Sequence, residues 1–395
     1  MTTASFNPPR RRLMGPGPSD VHPRVLAAMA RPTVGHLDPS FVAMMDEVKA
    51  LLRMAFRTRN ELTIPLSGPG SVGMEACFVN LVEPGDKVIV CQNGAFGGRM
   101  KENVERCGGT AIMVMDDWGK PVDLAKVAKA LADNKGVKAV AFVHAETSTG
   151  AQSDAAALCK LARDHGALSI VDTVTSLGGT PVLVDEWGAD AVYSGSQKCL
   201  SCMPGIAPLT VSPAAVDLVR KRNRKVQSWF MDLNLVMGYW GSSGGARVYH
   251  HTAPINALYA LHESLVMLEE EGLEKAWARH AKMHAALRAG AEAMGLSFVV
   301  AEQYRLPQLN AIVSPEGIDE AAVRRLMLER YGLEIGAGLG ALAGKIWRVG
   351  LMGQSATPEH VVIFLAALEE ILAELGAKIK IGAALPAARK VLAKA

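Results

Sequence analysis

The sequence has no uninterrupted apolar run as long as a membrane helix, which needs about 18 residues or more. It also has little excess charge, because 42 basic and 39 acidic side chains leave a formal net charge of +3 over 395 residues. Aromatic residues make up only 5% of the chain, and none is interleaved with a lysine and arginine cluster along a predicted helix. These absences argue against a membrane protein and against a nucleic-acid partner.

Cysteine is sparse, and the six cysteines lack the density of a secreted disulfide framework. Cys199 and Cys202 have Cys-x-x-Cys spacing, but no second pair completes a zinc site, so we expect reduced thiols in a cytoplasmic protein. His250 and His251 would point to opposite sides of a strand, and no metal site is predicted. The arginine-rich, acid-free residues 1–13 leave an organelle-targeting segment open as an alternative to a mobile arm.

Short apolar runs alternate with segments whose apolar residues recur at helical spacing. The predicted strands are 87–91, 111–115, 139–143, 168–172 and 191–194, and the intervening helices include 123–134 and 154–165. This alternation is typical of an α/β fold in which helices cover both faces of a mainly parallel sheet.

The pattern changes after a long amphipathic stretch, 255–288, that is interrupted near Gly272. The later segments predict strands at 297–300, 309–313 and 345–349 and helices at 320–331 and 358–375. We therefore expect an N-terminal arm at 1–20, a large domain at 21–271 and a smaller α+β domain at 272–395. The last 20 residues are rich in alanine and lysine, and we expect them to be partly frayed.

The pairing of Asp172 with Lys198 is the most informative feature of the chain. Asp172 ends a predicted strand, and Lys198 follows the next one, so both lie at the sheet edge where open α/β folds bind ligands. An amine can hold an aldehyde cofactor as a Schiff base, and a carboxylate can keep a pyridine nitrogen protonated. The pair suggests pyridoxal 5'-phosphate as the cofactor. Taken singly, Asp172 also fits a helix N-cap and Lys198 a surface charge.

A glycine-rich turn at 67–71 precedes a helix-like stretch, where backbone N–H groups are available to the cofactor's phosphate. Gly68, Gly70 and Gly73 also match the dinucleotide fingerprint Gly-x-Gly-x-x-Gly. That alternative requires an acidic residue at the end of the next strand, and the strand at 87–91 is followed by glutamine and asparagine. The phosphate turn is therefore favoured.

Three further side chains suit a cofactor and its substrate. Phe96 follows a strand and can stack on a pyridine ring, with an ordinary buried phenylalanine as the alternative. Thr147 lies in the hydroxyl-rich segment 146–150, which fits either the cofactor's phenolic oxygen or a capped turn. Arg348 interrupts an apolar strand, and its guanidinium fits a substrate carboxylate or a structural ion pair.

Taken together, the motifs resemble those of alanine–glyoxylate aminotransferases and their serine-using relatives, in the class V branch of fold-type I pyridoxal phosphate enzymes. The resemblance runs from about residue 13 to about residue 375, with the motifs in the same order. The matching segments are 13–19, 67–70, 83–86, 146–150, 171–172, 176–179, 194–198, 249–252 and 348–353.

The resemblance implies a fold-type I large domain with a mainly parallel seven-stranded sheet, a small α+β domain, and a homodimer whose active site is shared between subunits. It implies that Lys198 carries the cofactor and that Asp172 holds the pyridine nitrogen. The other implied cofactor contacts are Gly70, Ser71, Phe96, Thr147, Val174 and Gln197, with Tyr249 and Thr252 from the second subunit. The implied substrate contacts are Arg348 and Gly35.

The implied reaction transfers the amino group of alanine or serine to glyoxylate. Phe96 stands where the animal enzymes have tryptophan, and Ser71 replaces a histidine, so cofactor affinity or reaction preference can differ. A related transaminase that uses pyridoxamine or ureidoglycine stays open, because donor choice depends on a few loop residues near Gly35, His36 and Tyr239. A cysteine desulfurase is disfavoured because no cysteine follows Cys202.

Overall fold

The computed structural model of the protein describes residues 3–242 and 247–394. Its strands are β1 (Arg12–Leu13), β2 (Leu62–Ser67), β3 (Lys87–Gln92), β4 (Thr110–Met115), β5 (Val137–Val143), β6 (Ala145–Glu146), β7 (Ala151–Gln152), β8 (Leu168–Asp172), β9 (Ala191–Tyr193), β10 (Ile206–Val211), β11 (Leu309–Val313), β12 (Leu333–Glu334), β13 (Gly336–Ala337) and β14 (Ile346–Gly350).

Helices separate most of these strands along the chain. They are α1 (Pro23–Met29), α2 (Pro39–Phe56), α3 (Gly70–Leu81), α4 (Ala95–Arg106), α5 (Leu124–Asp133), α6 (Ala155–Asp164), α7 (Val184–Trp187), α8 (Pro213–Arg220), α9 (Leu233–Trp240), α10 (Ile255–Glu271), α11 (Leu273–Met294), α12 (Glu320–Tyr331), α13 (Pro358–Glu374) and α14 (Ala384–Leu392). Three 3₁₀ turns lie at Glu302–Tyr304, Gly340–Leu342 and Gly353–Ser355.

The main sheet has seven strands in the order β2-β10-β9-β8-β5-β3-β4. Its neighbours run parallel except at β10, which is antiparallel to both β2 and β9. The inner strands are nearly continuous apolar runs because helices cover both faces of the sheet. This arrangement confirms the predicted α/β class and the mainly parallel sheet of the fold-type I enzymes.

Side-chain caps fix where several of the sheet-covering helices begin. Asp123 and Asp154 accept hydrogen bonds from backbone N–H groups in the first turns of α5 and α6, and Ser212 does the same for α8. Such caps satisfy donors that have no partner within the helix. The helices predicted at 123–134 and 154–165 are confirmed to within one residue at each end.

A smaller α+β region follows in the chain. Strands β11, β14 and β13 form an antiparallel sheet, and they pack with the later helices around a second apolar cluster that extends from Met283 to Ala388. The cluster around the main sheet extends from Val25 to Ala276. We propose that the domain boundary near residue 272 follows this division.

The N-terminal segment joins the second cluster rather than the first. Strand β1 pairs in parallel with β12, and Met14 is fully buried in the second cluster. The expected arm at 1–20 therefore lies against the C-terminal region from Arg12 onward.

Three sequence expectations were wrong. The strand at 297–300 is reduced to an isolated bridge between Phe298 and Ile312, while Val299 packs against Gly119. The C-terminal 20 residues contain α14, which packs on α11 and α13 and buries Ala384 and Ala388 completely. Alanine is small enough for such close helix packing, so a composition that suggested fraying instead supports a docked helix.

The third error was the omission of β2 and β10. Each carries a proline, and Pro65 lies directly opposite Pro208 in the antiparallel ladder. Proline within a run argues against a strand because it donates no ladder hydrogen bond.

The described residues contain no helix long and apolar enough to cross a membrane. All six cysteines are free and buried.

Candidate active site

The ends of three neighbouring parallel strands bring the main chemical groups together. Asp172 is the last residue of β8, the segment from Ser194 to Lys198 follows β9, and Thr147 lies in the turn of the β6–β7 hairpin that follows β5. The order β5-β8-β9 in the sheet makes these ends adjacent. They form the carboxyl edge at which ligands bind in open α/β folds.

The Asp172 carboxylate is buried and held at both oxygens. Oδ1 accepts a hydrogen bond from the backbone N–H of Val174 at 2.8 Å, and Oδ2 accepts one from the hydroxyl of Tyr193 at 2.8 Å. Burial raises the pKa of Asp172 to about 7, while these two hydrogen bonds and the charge of Lys198 act in the opposite direction. Near neutral pH the Asp172 carboxyl therefore populates both its neutral and its charged form. A cationic partner favours the charged form.

The Lys198 side chain is a buried amine at the same edge. Its pKa is lowered to about 8, chiefly by burial and next by the charge of Arg348. Nζ donates a hydrogen bond to the carbonyl of Pro16, and Ser19 Oγ donates one to the carbonyl of Lys198 at 2.7 Å. The N-terminal segment therefore covers the lysine.

Gly17 makes this close cover possible. Its φ is 100°, and a Cβ at this position would lie 2.5 Å from Lys198 Cδ. Only glycine combines this backbone conformation with so close an approach.

A cradle suited to a phosphate lies at the start of α3. No side chain caps the N-terminus of this helix, and Ser71, in its first turn, is exposed. At Gly70 a Cβ would lie 3.1 Å from Val174 Cγ2 and 3.3 Å from the carbonyl oxygen of Ser194, so glycine keeps the wall of the cradle open. Gln197 also turns toward this wall, and its buried Oε1 has no partner among the described residues.

These features fit the phosphate of pyridoxal 5'-phosphate. Free N–H groups at a helix N-terminus bind anions, and the side-chain amide of Gln197 has N–H groups that can donate to a phosphate oxygen. The interpretation of the 67–71 turn as a phosphate-binding turn, rather than as a dinucleotide fingerprint, rests on this geometry. Gly73, the third glycine of the dinucleotide fingerprint, instead lies inside α3, where a Cβ would lie 3.0 Å from Tyr193 Cβ.

Phe96 and Thr147 lie on either side of a buried acid, Glu146. Phe96 is half-buried in the first turn of α4, with the Arg99 guanidinium 4.7 Å from its ring centroid. The hydroxyls of Thr147 and Thr175 are hydrogen-bonded to each other. Glu146 Oε1 accepts from the N–H of Ser148 at 2.9 Å, while its buried Oε2 has no partner among the described residues. Burial raises the pKa of Glu146.

Arg348 enters the cleft from β14 of the smaller region. Its Nε donates to the carbonyl of Ala337 at 2.6 Å and its Nη1 to the carbonyl of Thr147 at 3.2 Å, which fixes the guanidinium plane. Nη2 donates to no acceptor in the part of the chain that the structure describes. Burial lowers the pKa of Arg348 to about 10, and the guanidinium remains a cation at neutral pH.

Three of the residues expected at the site, in addition to Ser71, are exposed. Gly35 has open space around it, and Thr252 is exposed. Tyr249 is 63% exposed, with its ring centroid 5.3 Å from that of His36. Exposed apolar side chains lie beside it: Trp229 and Phe230 stack on His250, and Leu37 and Val248 are chain neighbours of His36 and Tyr249.

The histidine pair beside this surface differs from its sequence interpretation. The segment of His250 and His251 is not a strand, and their Nδ1 atoms lie 2.8 Å apart. Among the described residues, no group of three or more potential ligands is placed to hold a metal ion.

A cavity of about 1320 Å³ lies next to the site but is not the site. It is lined by His144, Gln152 and Trp187, among others, and by none of Lys198, Asp172 and Arg348. The site is assigned from the side chains that meet at the sheet edge, because volume alone does not identify chemistry.

Sequence reasoning missed Tyr193, Glu146 and the Pro16–Ser19 cover. Tyr193 is the direct register partner of Asp172 in the β8–β9 ladder, which no local pattern indicates. The cover is separated from Lys198 by almost half the chain. The sequence did offer a signal for Glu146, because an acidic residue stands between the apolar strand β5 and a hydroxyl-rich turn.

The chain was compared with protein families and with known relatives. The family model described as aminotransferase class-V matches residues 19–352. The (S)-ureidoglycine–glyoxylate transaminase of Bacillus subtilis is 39% identical over 401 residues, which cover 97% of this chain and 95% of that relative. The alanine–glyoxylate aminotransferase of Oryctolagus cuniculus is 39% identical over 365 residues, covering 92% of this chain and 93% of the relative.

Solved structures agree with this relationship. The ureidoglycine–glyoxylate aminotransferase from Bacillus subtilis superposes with a TM-score of 0.96 at 40% identity, covering 99% of this chain and 100% of that one. The alanine–glyoxylate aminotransferase from Nostoc sp. has a TM-score of 0.92 at 46% identity, with coverage of 94% and 98%. The chain therefore belongs to the class V aminotransferases and is a transaminase that uses pyridoxal 5'-phosphate.

Proposed function

We propose that this transaminase transfers the amino group of a small L-amino acid, alanine or serine, to glyoxylate. The products are glycine and pyruvate or hydroxypyruvate, formed in a ping-pong cycle. The observation that carries the proposal is the meeting of a buried amine, a buried carboxyl and a buried guanidinium, Lys198, Asp172 and Arg348, in one cleft. The alanine–glyoxylate relatives, which are similar over most of the chain, support the choice of substrates.

Arg348 binds the substrate carboxylate in this proposal. Its Nε and Nη1 are engaged with backbone carbonyls, so the guanidinium is held in a fixed plane and Nη2 is left for a carboxylate oxygen. The amino acid and the oxo acid each carry a carboxylate directly on the reacting carbon. One arginine therefore orients amino acid and oxo acid in the same way.

Lys198 holds the cofactor and moves the proton. When bound, pyridoxal 5'-phosphate supplies an electron-withdrawing ring that allows the substrate's α-hydrogen to leave as a proton. A lysine with a pKa of about 8 is partly neutral near neutral pH, so its Nζ could accept that proton and deliver it to the cofactor's aldehyde carbon. Burial also excludes water from Nζ.

The remaining residues hold and orient the cofactor in this proposal. Asp172 supplies the anion opposite the ring nitrogen, Thr147 meets the phenolic oxygen, and Phe96 stacks on the ring. Gly70, Ser71, Val174 and Gln197 form the phosphate cradle, supported by the open N-terminus of α3 and by the amide N–H groups of Gln197, which can donate to a phosphate oxygen. Gly35 lies in the loop that contacts the substrate.

A homodimer completes the proposed site. Tyr249 and Thr252 are exposed in the single chain and are surrounded by exposed Trp229 and Val248. An apolar surface of this kind is suited to a subunit interface. Tyr249 and Thr252 would then contact the phosphate in the other subunit. The six free thiols support the cytoplasm as the location.

Ureidoglycine is the second candidate donor. The observation that favours it is the Bacillus subtilis relative, whose structure superposes over 99% of this chain. His36, which follows Gly35 and is half-buried, bears on this choice, since its Nδ1 lies 3.3 Å from the hydroxyl of the buried Tyr239 and offers a polar atom to a larger donor. Pyridoxamine with pyruvate is the third combination to be tested.

The visible absorption spectrum of the purified protein tests the proposal. L-alanine or L-serine should bleach the cofactor's visible band, and glyoxylate should restore it. The kcat/KM for each donor with glyoxylate then ranks alanine, serine and (S)-ureidoglycine. Bleaching by ureidoglycine alone would establish the second candidate, and a protein that shows no visible band after incubation with pyridoxal 5'-phosphate would overturn the assignment.

A further inference from the structure

Tyr193 contacts Asp172 through a buried hydrogen bond. The phenolic hydroxyl donates to Asp172 Oδ2 at 2.8 Å, and the two residues are 0% and 3% exposed. They are paired in the parallel β8–β9 ladder, so the bond joins neighbouring strands at the sheet edge. The backbone N–H of Val174 occupies the other carboxylate oxygen. The carboxylate is thus bound from two directions.

The Tyr193 ring is held firmly in place. Helix α3 packs on β9 at Gly73, where a Cβ would lie 3.0 Å from Tyr193 Cβ and 3.3 Å from Ala207 Cβ. The ring therefore lies under the helix whose N-terminus forms the phosphate cradle. With the ring held in this position, the hydroxyl donates to Asp172 Oδ2.

The charges around Asp172 make this hydrogen bond consequential. Glu146 disfavours ionisation of Asp172, Lys198 favours it, and the protonated thiol of Cys77 faces the same carboxyl from α3. Burial is the largest effect and also disfavours the charged form. A hydrogen bond donated to a carboxylate stabilises its charged form. Tyr193 and Val174 thus offset part of the burial cost.

We propose that Tyr193 is a positioning residue whose hydroxyl keeps Asp172 ionised and oriented toward the cofactor's ring nitrogen. This inference rests on the proposed role of Asp172 and extends it to a residue that touches neither substrate nor cofactor. The rival explanation is that Tyr193 only fills space between α3 and the sheet.

Tyr193→Phe tests the proposal because it removes the hydroxyl and keeps the ring. Cofactor affinity should fall about tenfold, as expected for one hydrogen bond to a charged group. The pH midpoint of the cofactor's visible band should also move upward. Without the hydroxyl, Asp172 is less fully ionised, so the ring nitrogen is less protonated and the ring is less electron-withdrawing. The Lys198 nitrogen is then more basic. Tyr331→Phe, on α12, is the matched control and should change neither quantity.

A double-mutant cycle with Asp172→Asn separates the two explanations. If Tyr193 acts through Asp172, Tyr193→Phe should have almost no further effect on affinity or on the midpoint in the Asp172→Asn background. An equal loss in both backgrounds would overturn the proposal in favour of simple packing. An Asp172→Asn variant with unchanged affinity and spectrum would instead overturn the proposed role of Asp172 itself.

A second replacement keeps the packing intact. With 3-fluorotyrosine at position 193, the ring and hydroxyl remain but the hydroxyl is a stronger donor. The midpoint should then move downward, opposite to Tyr193→Phe. No movement, or movement in the same direction as Tyr193→Phe, would contradict the proposal even if Tyr193→Phe fails to fold.

Discussion

The guanidinium of Arg348 lies close enough to the amine of Lys198 to disfavour its protonation. Together with burial, which is the larger cause, it lowers the pKa of Lys198 to about 8. The proposed substrate-binding residue and the proposed proton carrier are therefore electrostatically linked. A bound carboxylate would offset the charge of Arg348 and make Lys198 a stronger base when substrate is present.

Lys198→Ala is expected to lower kcat by at least about 10³-fold, because the variant has no amine to carry the proton. The cradle, Asp172 and Arg348 remain, so the variant should still bind pyridoxal 5'-phosphate without a covalent bond. Rapid-mixing absorbance with L-alanine and glyoxylate measures both effects. Lys129→Ala, on the exposed face of α5, is the control. Normal turnover of Lys198→Ala would disprove the catalytic assignment.

Arg348→Lys should raise KM for both amino acid and oxo acid by about 10-fold to 100-fold, the loss of one or more charge-assisted hydrogen bonds. Lysine keeps the charge but lacks the planar fork that the carbonyls of Ala337 and Thr147 orient. Steady-state kinetics should show a larger change in KM than in kcat. Arg325→Lys alters only an exposed pair with Glu329 and should behave as wild type. A fall in kcat with unchanged KM would exclude carboxylate binding by Arg348.

The stability of the cofactor-free protein should depend on pH through Lys198. Between about pH 8 and pH 10.5 the unfolded chain keeps the Lys198 proton while the folded chain releases it. The unfolded state then binds more protons, so the unfolding free energy rises with pH across this window, by on the order of 2–3 kcal/mol from this group.

Denaturant unfolding of wild type and Lys198→Met at several pH values measures that contribution. The cysteines, whose burial raises their pKa values, act in the opposite direction but are common to both proteins. The difference in stability, wild type minus variant, should therefore increase from pH 8 to pH 10. A difference that stays constant across the window would show that Lys198 is not held in its neutral form by burial.

The sequence predicted what depends on local pattern. Strand β8 and helix α12 were placed at their observed bounds, because apolar runs and caps mark them directly. The candidate residues at strand ends were found for the same reason, since parallel strands bring their carboxyl ends to one edge. Asp172 and Lys198 follow from that rule alone.

What the sequence did not predict depends on long-range packing. The Asp172–Tyr193 bond requires the β8–β9 register, and the cover over Lys198 requires β1 to pair with β12, more than 300 residues away in the chain. The prolines of β2 and β10 contradict local strand propensity, and they oppose each other in one antiparallel ladder. These contacts depend on which distant strands pair and in which register, and a local sequence pattern does not specify either.

A shared active site can be tested by mixing two inactive variants. Lys198→Ala lacks the amine, and the double variant Tyr249→Ala/Thr252→Ala lacks the contacts proposed for the other subunit's phosphate. In a mixed dimer one site combines the intact Lys198 of one chain with the intact Tyr249 and Thr252 of the other. Unfolding and refolding the two variants together should restore about one quarter of wild-type activity, because half of the dimers are mixed and each has one intact site.

The control for this experiment combines all three substitutions in one chain and mixes it with the Lys198→Ala variant. No dimer in that mixture has an intact site, so no activity should return. Recovery only in the first mixture would establish that the surface bearing Tyr249 serves the partner's site. If neither mixture recovers although dimers form, Tyr249 and Thr252 act within their own subunit, and their exposure in the single chain needs a different explanation.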